Sequence, residues 1–217
     1  MALVVVGAGD HARVVIDGLD AAGRPVAGCI EVAPDGDLDR LVNGIPIVGT
    51  LDDDAWVTAH NATEFVVALG DNRARAEAFD ACLRLGLEPT RMIHPSANVL
   101  GGVEVGPGSQ VCAGAVIGLD ARIGANAIIN TLASVDHDDV IGDHAFIAPG
   151  VHLAGRVTVG TGARVGIGAN VREGVRIGAW ATVAGGAAVV RDVLEHGRVA
   201  GVPARPMTED RMATESE

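Results

Sequence analysis

The chain has no lysine and no tyrosine, and aromatic residues fill only 2% of its 217 positions. All 16 basic residues are arginine, so Schiff-base and lysine-nucleophile chemistry is excluded. A core with so few rings must be built from small and β-branched side chains at close spacing. The bases are outnumbered by 28 acids, for a net charge of −12. Non-specific binding to DNA, RNA or anionic lipid needs clustered cations that such a chain lacks. A small anionic ligand held by a few arginines and helix N-termini is compatible with this charge. Cys29, Cys82 and Cys112 are far apart, odd in number and without a CxxC pair, so no disulfide framework is implied. No apolar run approaches the length of a membrane-spanning helix. The opening MALVVVGAGDHARVV lacks a basic leader and interrupts its apolar stretch with glycine and charge, unlike a signal peptide. A reducing, cytoplasmic setting is the expectation.

What the chain does have is glycine, 30 residues of it, and a repeat. Every sixth residue from Ile93 to Val189 is Ile, Val or Leu, 17 positions with no insertion. Four residues after each stands a small or β-branched residue, such as Ala97, Ser109, Ala115 or Ala163, with one exception, Asp139. A six-residue period does not match a helix. It suits a short strand and a tight turn, three of which close a triangular coil. Coils stacked on one another put the aliphatics into inward columns, and no coil could bury its face alone. The frequent glycine directly after the aliphatic reads as a residue chosen for unusual backbone conformations.

The segment before the repeat is different. Leu3–Val6 reads as a strand, followed by Gly7-Ala8-Gly9-Asp10-His11-Ala12 and a helical pattern through Leu19. Val26–Ile30 and Phe65–Leu69 read as further strands, the latter followed by Gly70-Asp71-Asn72-Arg73 and a helix to about Leu85. Strands alternating with helices predict a small parallel α/β domain over residues 1–90. The repeat domain follows over 91–207, and 208–217 reads as a solvated tail. Strand, glycine turn and helix together aim backbone N–H groups at a phosphate. Ala12 stands where a dinucleotide fingerprint has its third glycine, and Glu31 is followed by Val32-Ala33-Pro34 without a clear ribose-binding acid. One nucleotide diphosphate at the helix start fits better than a dinucleotide; glycines that only permit the turn are the plainer alternative.

Of seven histidines, His137 is distinctive. It lies at the third position of its hexapeptide, in Asn130-Thr131-Leu132-Ala133-Ser134-Val135-Asp136-His137-Asp138-Asp139, beside the one residue that breaks the small-residue rule. Such breaks mark candidate functional sites. An imidazole beside a carboxylate suits a general base, and a polar surface turn suits the same residues equally. The spacings His137–His144–His152 do not hold three imidazoles in one column, so no metal is expected. One coil after His137 comes Gly155, whose bare backbone admits a ligand and whose N–H could polarise a thioester carbonyl. Cys112 reads as core.

Four segments occur in order: GAGDHARVV, ALGDNRAR, INTLASVDHD and GVPARPM. Together they resemble the sugar O/N-acyltransferases of the sialic acid O-acetyltransferase NeuD type, which include PglD-like and GDP-perosamine N-acetyltransferases. The resemblance spans about residues 2–207. It implies a left-handed parallel β-helix, a homotrimer with active sites between neighbouring prisms, and acetyl-CoA as co-substrate. It implies His137 as catalytic base, Asp138 as its orienting partner and Asn130 as an active-site asparagine. It places Gly155 at the acetyl thioester, Ile167 and Gly185 along the pantetheine groove, and Arg205 near the far end of CoA. Gly9, Asp10, His11, Asp71 and Asn72 match the region that holds a nucleotide sugar. Three positions depart from the pattern: Asp10 replaces a frequent glycine, an acidic pair is missing after the second strand, and Phe146 stands where some relatives carry a second active-site histidine. The expected reaction is acetylation of the amine of a UDP- or GDP-linked 4-amino-4,6-dideoxy sugar. O-acetylation of sialic acid or a related sugar, a non-catalytic β-helix binding protein, and a zinc hydratase are the alternatives.

Overall fold

The computed structural model describes residues 2–32 and 37–207. The Ala33-Pro34 part of the segment after the second strand, and the tail 208–217, lie outside the described residues.

The N-terminal unit is a six-stranded sheet in the order β3-β4-β2-β1-β5-β6. Its strands are β1 (Ala2–Val6), β2 (Val26–Glu31), β3 (Leu41–Val42), β4 (Ile45–Thr50), β5 (Ala62–Val67) and β6 (Glu88–Pro89). All neighbours are parallel except β3 and β4. The Val-rich β1 is central and buried on both faces, as the run Leu3–Val6 demands. Helix α1 (Asp10–Ala21) places Ala12, Val15, Ile16 and Leu19 on one stripe and covers one face. Helices α2 (Ala55–Ala59) and α3 (Asn72–Arg84) cover the other with Trp56, Ala78, Phe79 and Cys82. The short elements between residues 41 and 59 had no clear sequence signature; β5 begins at Ala62, earlier than the apolar run suggested.

From Met92–Ile93 to Ala188–Val189 the chain forms two-residue strands in three parallel columns, each strand up to Asn170–Val171 pairing with the one 18 residues on. The first column begins at Met92–Ile93, the second at Asn98–Val99 and the third at Glu104–Val105. The hexapeptide aliphatics point into the prism, and the alanines four residues later fill its corners, fully buried at Ala115, Ala121, Ala145 and Ala163. Each buried Val or Ile contributes about 1.5–3 kcal/mol, which compensates for the scarcity of rings.

The turns correct one sequence expectation. The left-handed backbone sits three residues after the aliphatic, at Gly114, Asp120, Asn126, Leu132, Asp138, His144 and onward, and most of the non-glycine residues there are Asp, Asn or His, which tolerate it. The glycine directly after the aliphatic has another cause. A Cβ on Gly142 would lie 2.6 Å from Thr161 N, and one on Gly160 would lie 2.5 Å from Ala179 N. These glycines let successive coils touch backbone to backbone. Gly142→Ala is expected to cost about 1–3 kcal/mol by overpacking a contact that cannot retreat, seen as a lower denaturation midpoint in urea.

The outer face of the first column, with Met92, Gln110, Ile128 and Phe146, is covered by the α/β unit. Cys112 is core, as expected, but packs among α1 residues outside the prism. The outer faces of the other two columns are open, with Val116, His152, Arg122 and Val140 exposed.

Candidate active site

His137 is presented by the corner between the second and third columns. Its turn runs from inward Val135 through Asp136 to Asp138, which takes the left-handed conformation at φ 59°. The His137 N–H donates to Asp136 Oδ1 at 2.6 Å, fixing the approach of the chain. The ring Nδ1 lies 2.8 Å from Asp138 Oδ2. A carboxylate oxygen can only accept, so Nδ1 carries a proton, and in the neutral ring Nε2 keeps its lone pair. The Asp138 hydrogen bond raises the His137 pKa above the ordinary histidine value; the charges of Asp136 and Asp138 add to this, while exposure-limited desolvation and Arg156 oppose it. The side chain is half exposed.

Eighteen residues on, Gly155 lies directly against this ring. A Cβ at Gly155 would be 2.5 Å from His137 Nε2 and 2.6 Å from Cε1. The two coils are aligned by the Arg156 N–H donating to His137 O at 3.0 Å. Among the described residues the Gly155 N–H has no partner. A neutral imidazole nitrogen and an unspent amide therefore meet at one small patch, the pair needed to take a proton and steady an oxyanion.

Asn130, Ile167 and Gly185 stand on a different corner, between the first and second columns. Asn130 Oδ1 accepts from Thr131 N at 2.8 Å. Ile167 is 64% exposed, and Gly185 lies under it, with its Cβ position 3.0 Å from Ile167 Cγ2. Within one chain the second column separates this group from His137. Arg205 lies at the far end of the prism, beside a cavity of about 340 Å³ lined by Arg191, Leu194, Val199 and Pro206.

The glycine loop sits where β1 and β5 diverge, the switch point at which open α/β sheets bind ligands. Gly7 has φ 115° and its Cβ would fall 2.7 Å from Ala68 O, so no other residue fits. Gly9 caps α1 without a side chain, leaving the helix start bare, and Asp10 is fully exposed beside Arg13. His11 turns inward, its Nε2 donating to Gln110 Oε1 at 2.8 Å, and burial lowers its pKa. An open cavity shared by Asp10, Arg13, Asn43, Ala113 and Thr131 joins the start of α1 to the Asn130 corner. Asp71 caps α3 by accepting from Arg73 N and Ala74 N, both at 2.9 Å. Asn72 is turned away from this loop: its Nδ2 donates to Gly162 O and Ala163 O on the prism, so the structure assigns it to joining the two units rather than to an open ligand surface.

Residues 2–82 match the family model described as the PglD N-terminal domain. Over 96% of this chain and 98% of the other, the fold superposes on PerB from Caulobacter crescentus, solved with CoA and GDP-perosamine, with a TM-score of 0.90 and 39% identity. The chain belongs to the PglD-like family of sugar N-acetyltransferases. The acetyltransferase domain of PglB from Neisseria gonorrhoeae FA1090, solved with acetyl coenzyme A, is 33% identical over 95% of this chain and 98% of its own, with a TM-score of 0.84. WeeI from Acinetobacter baumannii AYE is 25% identical over 95% of this chain and 100% of its own, with a TM-score of 0.82. A search of curated proteins found no match. The prism is thus the left-handed β-helix of the hexapeptide acyltransferases.

In this acetyltransferase the other histidines are spread over separate faces. His144 lies at the third corner, bonded to Asn126 and edge-on to Phe79 of α3. His152 is on the open second face with Ser134. Among the described residues no group of three His, Cys, Asp or Glu side chains could hold a metal. Phe146 is buried under the α/β unit, with the Arg164 guanidinium 4.4 Å from its ring centre, so it takes part in joining the units.

One functional neighbour escaped sequence reasoning. Arg75, inside the ALGDNRAR segment, is fully buried. It donates to Leu69 O, Asn126 O and His144 O at 3.1, 3.2 and 2.6 Å, clamping the loop after β5 to the prism. Burial lowers its pKa to about 10, which leaves it charged at neutral pH. Only its carbonyl partners, which are distant in sequence, reveal its task.

Proposed function

We propose that the protein transfers the acetyl group of acetyl-CoA to the amine of a nucleotide-linked 4-amino-4,6-dideoxy sugar, with GDP as the favoured nucleotide. The observation that carries this reading is the seating of His137 on Gly155, with Nδ1 tied to Asp138 and the Gly155 N–H unspent. The choice of GDP rests on PerB, which was solved with GDP-perosamine. The amine lone pair attacks the thioester carbonyl and the carbon–sulfur bond breaks. The proton on nitrogen passes to His137 Nε2, and the CoA thiolate leaves and is protonated. The Gly155 N–H donates to the oxyanion between these events. The three cysteines are buried, and burial pushes the Cys82 and Cys112 thiols up to about 12, so a thiolate nucleophile is not part of the scheme.

The working unit in this reading is a homotrimer acting in the cytoplasm in glycan biosynthesis. Support comes from the separation of the two corners: His137 and Gly155 of one copy would face Asn130, Ile167 and Gly185 of the next. The nucleotide sugar would lie at Gly9, with Asp10, His11 and Asp71 around it, near the Asn130 corner. CoA would run along Ile167 and Gly185 toward Arg205.

A thiol-release assay tests this with acetyl-CoA and GDP-perosamine, UDP-linked 4-amino-4,6-dideoxyhexoses and free sialic acid, with products checked by mass. Release with GDP-perosamine and one acetyl group on its amine is the expected result. Acetylation of sialic acid oxygen instead, or no release with any acceptor, would overturn it. Mixing His137→Ala with Asn130→Ala subunits is expected to restore activity that neither variant has alone, since hybrids rebuild one intact interface.

A further inference from the structure

Turns of this prism close on themselves. The N–H of the fifth residue donates to the carbonyl of the second, as from Ala115 to Cys112, Ala163 to Gly160 and Ala169 to Gly166. The turn that carries Gly155 does not follow this rule. Its Val157 N–H donates to Asp139 Oδ1, at 2.7 Å, in the coil before. The N–H of the second residue ordinarily bonds the next coil, as from Gly118 to Val135 O and Gly142 to Val159 O. At Asp136 it donates to Asp139 Oδ2 instead, at 2.9 Å. The ladder is interrupted at the same place: Ser134 pairs with His152 alone, whereas the flanking pairs of this column join two residues each. One fully buried carboxylate has thus taken one N–H from the turn of His137 and one from the turn of Gly155.

We propose that Asp139 is a positioning residue, whose carboxylate holds the His137 and Gly155 turns at the separation that seats the imidazole on the bare Gly155 backbone. The proposal rests on the reading of His137 as the base. The site carries a second consequence. Burial raises the Asp139 pKa to about 7, against the pull of its two backbone hydrogen bonds. The groups around it are Asp136, His137 and Asp138 on its own turn, Asp120 and Arg122 on the coil before, and Arg156 on the coil after. A protonated Asp139 turns one acceptor into a donor and cannot hold both N–H groups. Activity then requires two deprotonated groups, His137 and Asp139, and both are lost as the pH falls.

Asp139→Ala and Asp139→Ser test this. Alanine is the residue the repeat itself uses at this corner, so the prism tolerates it. Serine copies Ser109, whose Oγ accepts from Ala127 N at 2.9 Å across one coil. Asp139→Ala is expected to stay folded, to lose about tenfold or more in kcat as the base drifts from its seat, and to keep its KM for acetyl-CoA. The acid limb of log kcat/KM should drop from a slope of two to a slope of one, and Asp139→Ser should recover part of kcat. A folded Asp139→Ala with unchanged kcat and unchanged limb overturns the proposal; so does a loss that only follows unfolded protein and that serine does not rescue. Should the unaltered enzyme transfer no acetyl group, the functional reading fails separately. A crystal structure of Asp139→Ala then decides the positioning itself. Recovery of the Val157 N to Ala154 O and Asp136 N to Leu153 O bonds, with the ring moved off Gly155, supports it; an unchanged gap overturns it.

Discussion

Replacing His137 by alanine lowers the rate of acetyl transfer by about 10²–10⁴-fold, the usual worth of a general base, while the fold is kept. The residue is half exposed on a corner and its ring bonds the exposed Asp138 carboxylate outside the prism core, so its removal leaves the prism intact. Initial rates with saturating acetyl-CoA, set beside a melting curve, check both halves of the expectation. The pH profile identifies the group. His137 is raised above the ordinary histidine value chiefly by its hydrogen bond to Asp138. The base works when unprotonated, so activity falls as the pH drops through this raised value. Asp138→Asn removes the main cause and moves the His137 part of the acid limb to lower pH, at the cost of a less firmly held tautomer, while the part carried by Asp139 stays. An acid limb unchanged in both parts in Asp138→Asn would assign the first to another group.

Gly155→Ala lowers kcat by about 10²-fold, the scale of a misplacement of about 1 Å in a reacting group, with little change in stability. The added Cβ would lie 2.5 Å from His137 Nε2. The ring is the freer partner and yields by rotating away, whereas the backbone of the prism is fixed by its ladder. The backbone of Gly155 is not in the left-handed region, so alanine introduces no strain of its own. A kcat loss with a preserved melting temperature separates this from general damage. Equal activity in Gly155→Ala would remove the proposed seating of the imidazole on the glycine.

Much of the architecture was legible in the residue pattern because its period is short and its core is local to each coil. Seventeen aliphatics in register leave few alternatives to stacked coils, and the central strands of the α/β unit follow from runs such as Leu3–Val6. The weakly patterned β3, β4 and α2 were not legible, because a two-residue strand, a strand interrupted by Pro46 and Gly49 and a five-residue helix are held by contacts with the sheet rather than by their own propensity. The second-position glycines are legible as a pattern, but their cause is not, since none of Gly106, Gly118, Gly142 and Gly160 takes a positive φ. Their function is close approach between backbones 18 residues apart, which a search for permissive φ angles misses.

The chain alone determined the columns, the candidate base and its neighbouring acid, and the odd residue Asp139. These are consequences of sequence neighbours and of a fixed repeat, so counting reaches them. The tertiary structure decided what depends on meetings between distant segments. It turned Asn72 and His11 toward the prism, buried Arg75 among carbonyls of three segments, and placed Phe146 under Arg164. It also put Asn130 and His137 on different corners, because six residues of extended chain carry the backbone across a whole face of the triangle.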